Sequence, residues 1–146
     1  MEVENLRSPH ATVGGVVYFG RMLDKIRLHA AGRLPSEYQE NLGSGFDEFC
    51  CKFLWIDYPA VVERTKEGGT DEEILEWCMQ SGRRPDEQEI TVWNGFMRKR
   101  GWRDEVAERL ATRKREGGWS DRDDVQTFFD FLDLDEARDP AKTASA

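Results

Sequence analysis

The strongest candidates for chemistry are four charged residues in one short segment, Arg21, Asp24, Lys25 and Arg27. Asp24 has one arginine three residues before it and another three residues after it, and this spacing brings the three side chains together on a helix. Lys25 is expected to point elsewhere. Guanidinium groups bind carboxylates and phosphates through paired hydrogen bonds. The spacing therefore predicts either a structural ion-pair network or a site for a small anionic ligand.

The two interpretations differ in what the arginines bind. In the first, Asp24 holds both arginines, which in turn bind loop carbonyl groups. In the second, the arginines and the free N–H groups at the N-terminus of the helix hold a small anionic molecule or an acidic segment of a partner protein. Residues from the following loop and helix could complete that site. The candidate ligand-binding residues are Arg21, Asp24, Lys25, Arg27, Tyr38 and Asp47.

An enzyme with its active site in the same place is the alternative to ligand binding alone. Asp24 with Lys25 or Tyr38 could act as general acid–base groups. A serine nucleophile is not indicated, because no Gly-x-Ser-x-Gly segment occurs. The residues assign no reaction and no catalytic group, and a purely structural protein-interaction module is the third alternative.

No metal or cofactor is expected. His10 and His29 are the only histidines, and neither has a ligand partner at helical spacing. Three glycines precede the charged segment, but their spacing matches no phosphate-binding motif, so ordinary turns explain them better. These glycines are Gly14, Gly15 and Gly20.

The three cysteines indicate a reducing compartment. Cys50 and Cys51 are adjacent and Cys78 is distant, so they form no disulfide framework and are expected to be inert core thiols. The first nine residues are polar, and the apolar run over residues 13–19 is too short to span a membrane. We therefore expect a cytoplasmic protein without a membrane partner.

The charge of the chain is unevenly distributed. The formal net charge is -8, yet residues 98–115 carry eight cations and three anions, and residues 116–139 carry two cations and nine anions. A basic helix followed by an acidic one predicts mutual neutralisation across a helical hairpin. A nucleic-acid partner is not expected in a chain this acidic.

The chain is predicted to fold mainly into short helices. The first covers residues 21–31 and places Met22, Leu23, Ile26 and Ala30 on its core-facing side. Before it, residues 13–19 form an extended segment, since no second β-branched run offers a strand partner. Residues 33–45 form a loop.

Capping residues indicate where the later helices begin. Ser44 with Asp47 caps one helix, Asp57 precedes another, and Ser120 with Asp123 caps the last. A further helix covers residues 103–115. Two capping boxes begin sister helices that each place an isoleucine and a tryptophan in one core: Thr70–Glu73 before Ile74 and Trp77, and Asp86–Glu89 before Ile90 and Trp93.

These elements predict an all-α fold. We expect an irregular orthogonal bundle of six or seven short helices with an extended N-terminal segment. A single domain over residues 1–139 and a disordered tail over residues 140–146 are predicted. Tryptophans at helical spacing, including Trp102, indicate core packing rather than stacking on a ligand.

Several short motifs occur together in residues 6–100, and the most specific are Asp24-Lys25-x-Arg27 and Asp71-Glu72-Glu73-Ile74-x-x-Trp77. Together they resemble a bacterial domain-of-unknown-function family, DUF 5069. The resemblance implies domain limits and no catalytic role, and residues 101–139 are expected to extend beyond the family's usual end. The other matching motifs are Leu6-Arg7-Ser8-Pro9, Gly14-Gly15, Tyr38, Asp47, Phe53-Leu54-x-Ile56-Asp57 and Trp93-Asn94.

Overall fold

A computed structural model describes residues 1–140 as eight helices and one two-stranded sheet. The predicted all-α class is confirmed, with eight helices where we expected six or seven. The predicted disordered tail lies outside the described residues from residue 141 onward. In chain order the elements are β1 (Thr12–Val13), β2 (Val16–Val17), α1 (Phe19–Ala30), α2 (Ser36–Gln39), α3 (Phe46–Leu54), α4 (Tyr58–Lys66), α5 (Asp71–Ser81), α6 (Glu87–Lys99), α7 (Ala107–Glu116) and α8 (Phe128–Asp135).

The segment before α1 is a small hairpin rather than the predicted extended segment. Strands β1 and β2 pair antiparallel, with Val13 opposite Val16. Gly14 and Gly15 have φ values of 56° and 80°, as a two-residue hairpin turn requires. The side chain of Asn94 on α6 accepts a hydrogen bond from the Val17 N–H at 3.1 Å and donates to the Gly15 carbonyl at 2.8 Å. Strands this short leave no periodicity to detect, so sequence analysis missed the hairpin.

Helix α1 supplies the centre of the main core. Phe19, Met22, Leu23 and Ile26 are buried, and the helix packs against β1, α4 and α5. Ala30, predicted to face the core, is exposed. Leu28, which is not on that side of the helix, is buried in a second cluster with Leu6 and Leu34. The reason is that the N-terminal segment covers a second side of the helix.

The two sister helices α5 and α6 follow the prediction. Both capping boxes are present, formed by Thr70 with Glu73 and by Asp86 with Glu89. Each helix contributes to the main core, and the contributing side chains are Ile74, Trp77, Ile90 and Trp93. Trp102 was predicted to pack in the core, but it is 45% exposed because it lies in the turn between α6 and α7.

Three predicted helix starts are wrong. Helix α3 follows Gly45 without a side-chain cap, since the carboxylate of Asp47 faces the core. Helix α7 begins at Ala107, because the Asp104 carboxylate accepts the Gly101 and Val106 N–H groups in a turn. Helix α8 begins after Thr127, not Ser120, and Thr127 caps it by accepting the Asp130 N–H. Asp57 does precede α4, although its side chain makes no cap bond.

Within residues 1–140, no helix combines the length and the apolar character needed to cross a membrane.

Gly82 ends α5 at a close approach between two chain segments. A Cβ atom at Gly82 would lie 1.9 Å from the backbone carbonyl oxygen of Leu54, which also accepts the Arg83 N–H at 2.9 Å. Replacing Gly82 by alanine must move backbone atoms. We expect Gly82→Ala to lower the free energy of unfolding, measured by urea denaturation, by about 2–4 kcal/mol.

Gly95→Ala is the matched control. Gly95 lies within α6, and an added Cβ atom would meet no atom within 4 Å. Alanine there should raise the free energy of unfolding by about 0.5–1 kcal/mol, because it restricts the unfolded chain. Equal effects of the two substitutions would contradict the close approach at Gly82.

Candidate functional site

The four charged residues of α1, which were predicted to act together, lie on two different sides of the helix. Arg21 and Lys25, one helical turn apart, are buried on one side. Asp24 and Arg27 lie on the other side, beneath the N-terminal segment. Asp24 therefore does not bridge the two arginines, and each side of the helix forms its own ion-pair network.

The first network centres on a buried pair between Arg21 and Glu136. The Arg21 guanidinium donates to both carboxylate oxygens of Glu136, at 2.7 and 2.6 Å, and the two side chains are 3% and 0% exposed. Tyr38 adds an O–H bond of 2.9 Å to the same carboxylate, and Arg138 adds an ion pair of 2.7 Å. Burial would raise the pKa of Glu136, but the hydrogen bonds from Arg21 and its other donors outweigh burial and hold the pKa below its usual value.

Lys25 forms a second buried cluster with Tyr18 and Asp47. The Lys25 ammonium lies 2.8 Å from the Tyr18 hydroxyl oxygen and 2.8 Å from the Asp47 carboxylate, and the Tyr18 O–H donates to that carboxylate at 2.7 Å. Tyr18 reaches this position from a left-handed backbone conformation, with φ of 72°, just before α1. Burial lowers the pKa of Lys25, and Asp47 offsets only part of that effect.

The network on the opposite side holds the N-terminal segment on α1. The Arg7 guanidinium binds both oxygens of Asp24, at 2.8 and 2.9 Å, and also binds Asp71 at 2.7 Å. Asp71 in turn binds Arg27 at 2.7 Å. Gly20 makes this arrangement possible, because a Cβ atom there would lie 2.8 Å from the Arg7 guanidinium carbon. These contacts give Asp24 and Arg27 a structural role.

A cleft of about 350 Å³ opens above the first two networks. It is bounded by α1, α2 and α3 on one side and by α7, α8 and the end of α6 on the other. Five cations and two carboxylates line it, together with partly buried aromatic rings. Its charged lining residues are Arg21, Lys25, Arg100, Arg109, Arg113, Glu37 and Asp135. Its aromatic lining residues are Tyr18, Tyr38, Phe46, Phe49, Phe128 and Phe131.

The basic and acidic C-terminal segments do not neutralise each other as predicted. Helices α7 and α8 do pack together. However, Lys114 donates to the backbone carbonyls of Arg122 and Val125, and the Arg113 guanidinium lies 5.2 Å from the centre of the Phe131 ring. Two of the cations of α7, Arg109 and Arg113, therefore border the cleft.

A second hollow lies between residues 2–7 and the end of the described chain. Its volume is about 510 Å³, but carboxylates outnumber cations among the residues that line it. An anion would be repelled there. The cleft above α1 is therefore the better candidate for a functional site.

The six predicted site residues fall in three places. Arg21, Lys25 and Tyr38 line the cleft. Asp47 lies behind it and binds Lys25. Asp24 and Arg27 lie on the other side of α1, so the suggested acid–base set of Asp24, Lys25 and Tyr38 does not share one cavity.

Sequence analysis missed the partners that define both networks. Glu136 lies 115 residues from Arg21, and Arg7 lies 64 residues from Asp71, so local spacing contained no sign of either pair. The only signal was that Arg7 and Asp71 both lie within motifs shared with the family. The cleft arginines of α7 were visible as a basic segment, but neutralisation was the favoured interpretation.

The cysteines and the one buried histidine offer no reactive centre. Cys50, Cys51 and Cys78 are free and buried, and burial raises the pKa of Cys51 to about 12 and that of Cys78 to about 11. His10 Nε2 lies 3.9 Å from the Asp133 carboxylate, and both atoms are buried without a hydrogen-bond partner among the described residues. Across residues 1–140, no group of three or more potential ligand side chains is arranged to hold a metal ion.

The chain belongs to the family described as "Domain of unknown function (DUF5069)", whose model matches residues 3–138. The match continues through residues 101–138, which we expected to lie beyond the family's usual end. No curated protein matches the chain. The family description supplies no activity, so the geometry of the cleft is the basis for any functional conclusion.

Removal of Arg21 should strongly destabilise the fold. In Arg21→Ala the Glu136 carboxylate stays buried and loses both hydrogen bonds from the guanidinium group. We expect the free energy of unfolding to fall by about 3–5 kcal/mol, measured by urea denaturation near neutral pH.

Arg27→Ala is the control from the same helix. The Arg27 side chain is 37% exposed, so its ion pair with Asp71 is screened by solvent. Loss of this ion pair should lower the free energy of unfolding by no more than about 1 kcal/mol. If Arg27→Ala destabilised the protein as much as Arg21→Ala, the buried pair with Glu136 would not dominate.

Acidification should destabilise the protein through His10. Burial lowers the pKa of His10; nearby Asp133 and Asp130 offset part of this, while Arg98 adds to it. Below the unperturbed pKa of about 6.5, the unfolded chain takes up a proton that the folded protein resists, so stability falls as pH falls. We expect wild type to lose more stability than His10→Phe between about pH 7.5 and about pH 5.5 in urea denaturation. Parallel losses would exclude His10 as the cause.

Proposed function

We propose that this protein is a cytoplasmic binding domain for a small anionic ligand, which it holds in the cleft between α1, α3, α7 and α8. The observation that carries the proposal is a pair of arginines, Arg109 and Arg113, that border the cleft and form no ion pair with any residue of 1–140, in a chain with a net charge of -8. Three free thiols support a reducing compartment.

A positive cleft in an acidic protein focuses the field on one place. The low-dielectric walls of a cleft concentrate field lines, so a small anion is drawn to it while the rest of the surface repels the same anion. Its volume, about 350 Å³, lies in the range of small-molecule sites. That size favours a small molecule over an acidic protein segment.

The floor of the cleft is held rigid by groups that already have partners. Lys25 pairs with Asp47, and the Tyr38 hydroxyl donates to Glu136. A general acid or base must instead exchange its proton with a substrate. The contacts of Lys25 and Tyr38 therefore favour binding over acid–base catalysis.

Anion binding can be measured as a change in thermal stability. Wild type is heated in sodium phosphate, sulfate, citrate and benzoate at equal ionic strength, with sodium chloride as the reference. A bound anion at about 100 times its dissociation constant stabilises a protein by about 2.7 kcal/mol, so we expect at least one salt to raise the Tm by about 3–10 °C. Native mass spectrometry of the freshly purified protein would then identify a retained ligand.

Charge reversal separates the cleft from the general surface. Arg113→Glu should remove the stabilisation, because Arg113 lines the cleft. Arg115→Glu should keep it, since Arg115 lies on the same helix, is exposed and bonds to Thr112. If no salt stabilises wild type, or if both variants respond alike, the proposed function is wrong.

A further inference from the structure

We infer that the ligand is an aromatic anion, with one negatively charged group bound by Arg109 and Arg113 and a flat apolar body packed against the phenylalanine rings of the cleft. This inference rests on the proposed function and specifies its ligand class.

Only two of the five cleft cations are available to a ligand. Three of the five cleft cations already have carboxylate partners: Arg21 with Glu136, Lys25 with Asp47, and Arg100 with Glu105 at 2.8 Å. Arg109 and Arg113 form no ion pair with any residue of 1–140. They are exposed and four residues apart on α7, a spacing that places both guanidinium groups on the side of the helix that borders the cleft. The anionic group should bind between these two.

Phenylalanine rings form one wall of the cleft. Phe46, Phe49 and Phe128 are only partly buried, and all three line the cleft. The ring of Phe46 meets those of Phe49 and Phe128 edge to face, with centroids 6.4 Å apart in both pairs. Such a wall leaves aromatic surface in contact with water, and a flat apolar group would cover it and add edge-to-face contacts.

The arginines and the phenylalanine rings of the cleft together define the ligand class. The Arg113 guanidinium lies 5.2 Å from the centre of the buried Phe131 ring, which borders the same cleft, so the unpaired arginines and the phenylalanine rings line one cavity. An inorganic anion would bind the arginines but leave the rings exposed to water. A ligand with several negative charges would be repelled by Glu37 and Asp135 in the same cleft. One anionic group on an aromatic body satisfies both sets of residues.

The test compares three probes that differ in one part at a time. These are 1-anilinonaphthalene-8-sulfonate, which has both parts, N-phenyl-1-naphthylamine, which lacks the anionic group, and inorganic phosphate, which lacks the aromatic body. Fluorescence titration gives the affinity of the first two, and displacement of the sulfonate probe gives that of phosphate. We expect wild type to bind the sulfonate probe at least about tenfold more tightly than either other probe, since a tenfold change corresponds to about 1.4 kcal/mol.

Variants assign the two parts to their residues. The double variant Arg109→Gln with Arg113→Gln should lower the affinity for the sulfonate probe at least about tenfold, because the charged contacts are lost. The affinity for the neutral probe should change by no more than about twofold. The matched control is Lys99→Gln with Arg115→Gln, which removes the same charge from exposed positions outside the cleft and should leave both probes unchanged. Phe46→Leu should lower the affinity for both aromatic probes. Circular dichroism checks that each variant is folded.

The outcomes separate this inference from the proposed function. If phosphate binds as tightly as the sulfonate probe and the arginine variant weakens both, the anion site stands and the aromatic body is wrong. If the neutral and sulfonate probes bind alike in wild type and in the arginine variant, the cleft is an apolar site and both proposals fail. If the control variant loses as much affinity as the arginine variant, only net charge matters and Arg109 and Arg113 are not the site.

Discussion

The buried ion pair between Arg21 and Glu136 is the constraint on which the rest of the structure depends. Removing two charges from water is unfavourable unless each finds a full set of partners. Glu136 receives hydrogen bonds from Arg21, Tyr38 and Arg138, and Arg21 also donates to the Arg7 carbonyl at 3.0 Å. The pair therefore holds α1, α2, the N-terminal segment and the residues after α8 in one arrangement. That arrangement brings α7 and α8 over α1 and forms the cleft.

Helix α1 can meet this demand because its two sides bury charge in different ways. The side with Arg21 and Lys25 is closed by carboxylates from α3 and from beyond α8, and it forms the floor of the cleft. The side with Asp24 is closed by Arg7, which lies across the helix at Gly20. A larger residue at position 20 would push the Arg7 guanidinium away from Asp24. The motif Asp24-Lys25-x-Arg27 thus combines one residue of the cleft floor, one that binds Arg7 of the N-terminal segment, and one that binds Asp71 at the start of α5.

Features that depend on residues close in the sequence were predicted correctly. Features that depend on partners distant in the sequence were not. Both capping boxes and the shared core of Ile74 and Ile90 follow from short-range spacing, and the structure has them. Asp47 shows the opposite case, because it has the spacing of a capping residue but binds the side chains of Tyr18 and Lys25 from another helix. Glu136 looks like any exposed acidic residue until the fold brings it to Arg21.

The cations of the cleft divide into two groups with different physical roles. Arg21 and Lys25 are buried and each is paired with a carboxylate, so a ligand that drew either cation away from Glu136 or Asp47 would leave a buried carboxylate unpaired. They hold the floor in place and add to the positive potential above it. Arg109 and Arg113 are exposed on α7, which is held by the hydrogen bond of Lys114 and the packing of Leu110, and neither forms an ion pair with a residue of 1–140, so both can bind an incoming anion. A fixed floor beneath two exposed arginines suits a selective binding site, since the scaffold is organised before the ligand arrives and only these two side chains must lose freedom when it binds.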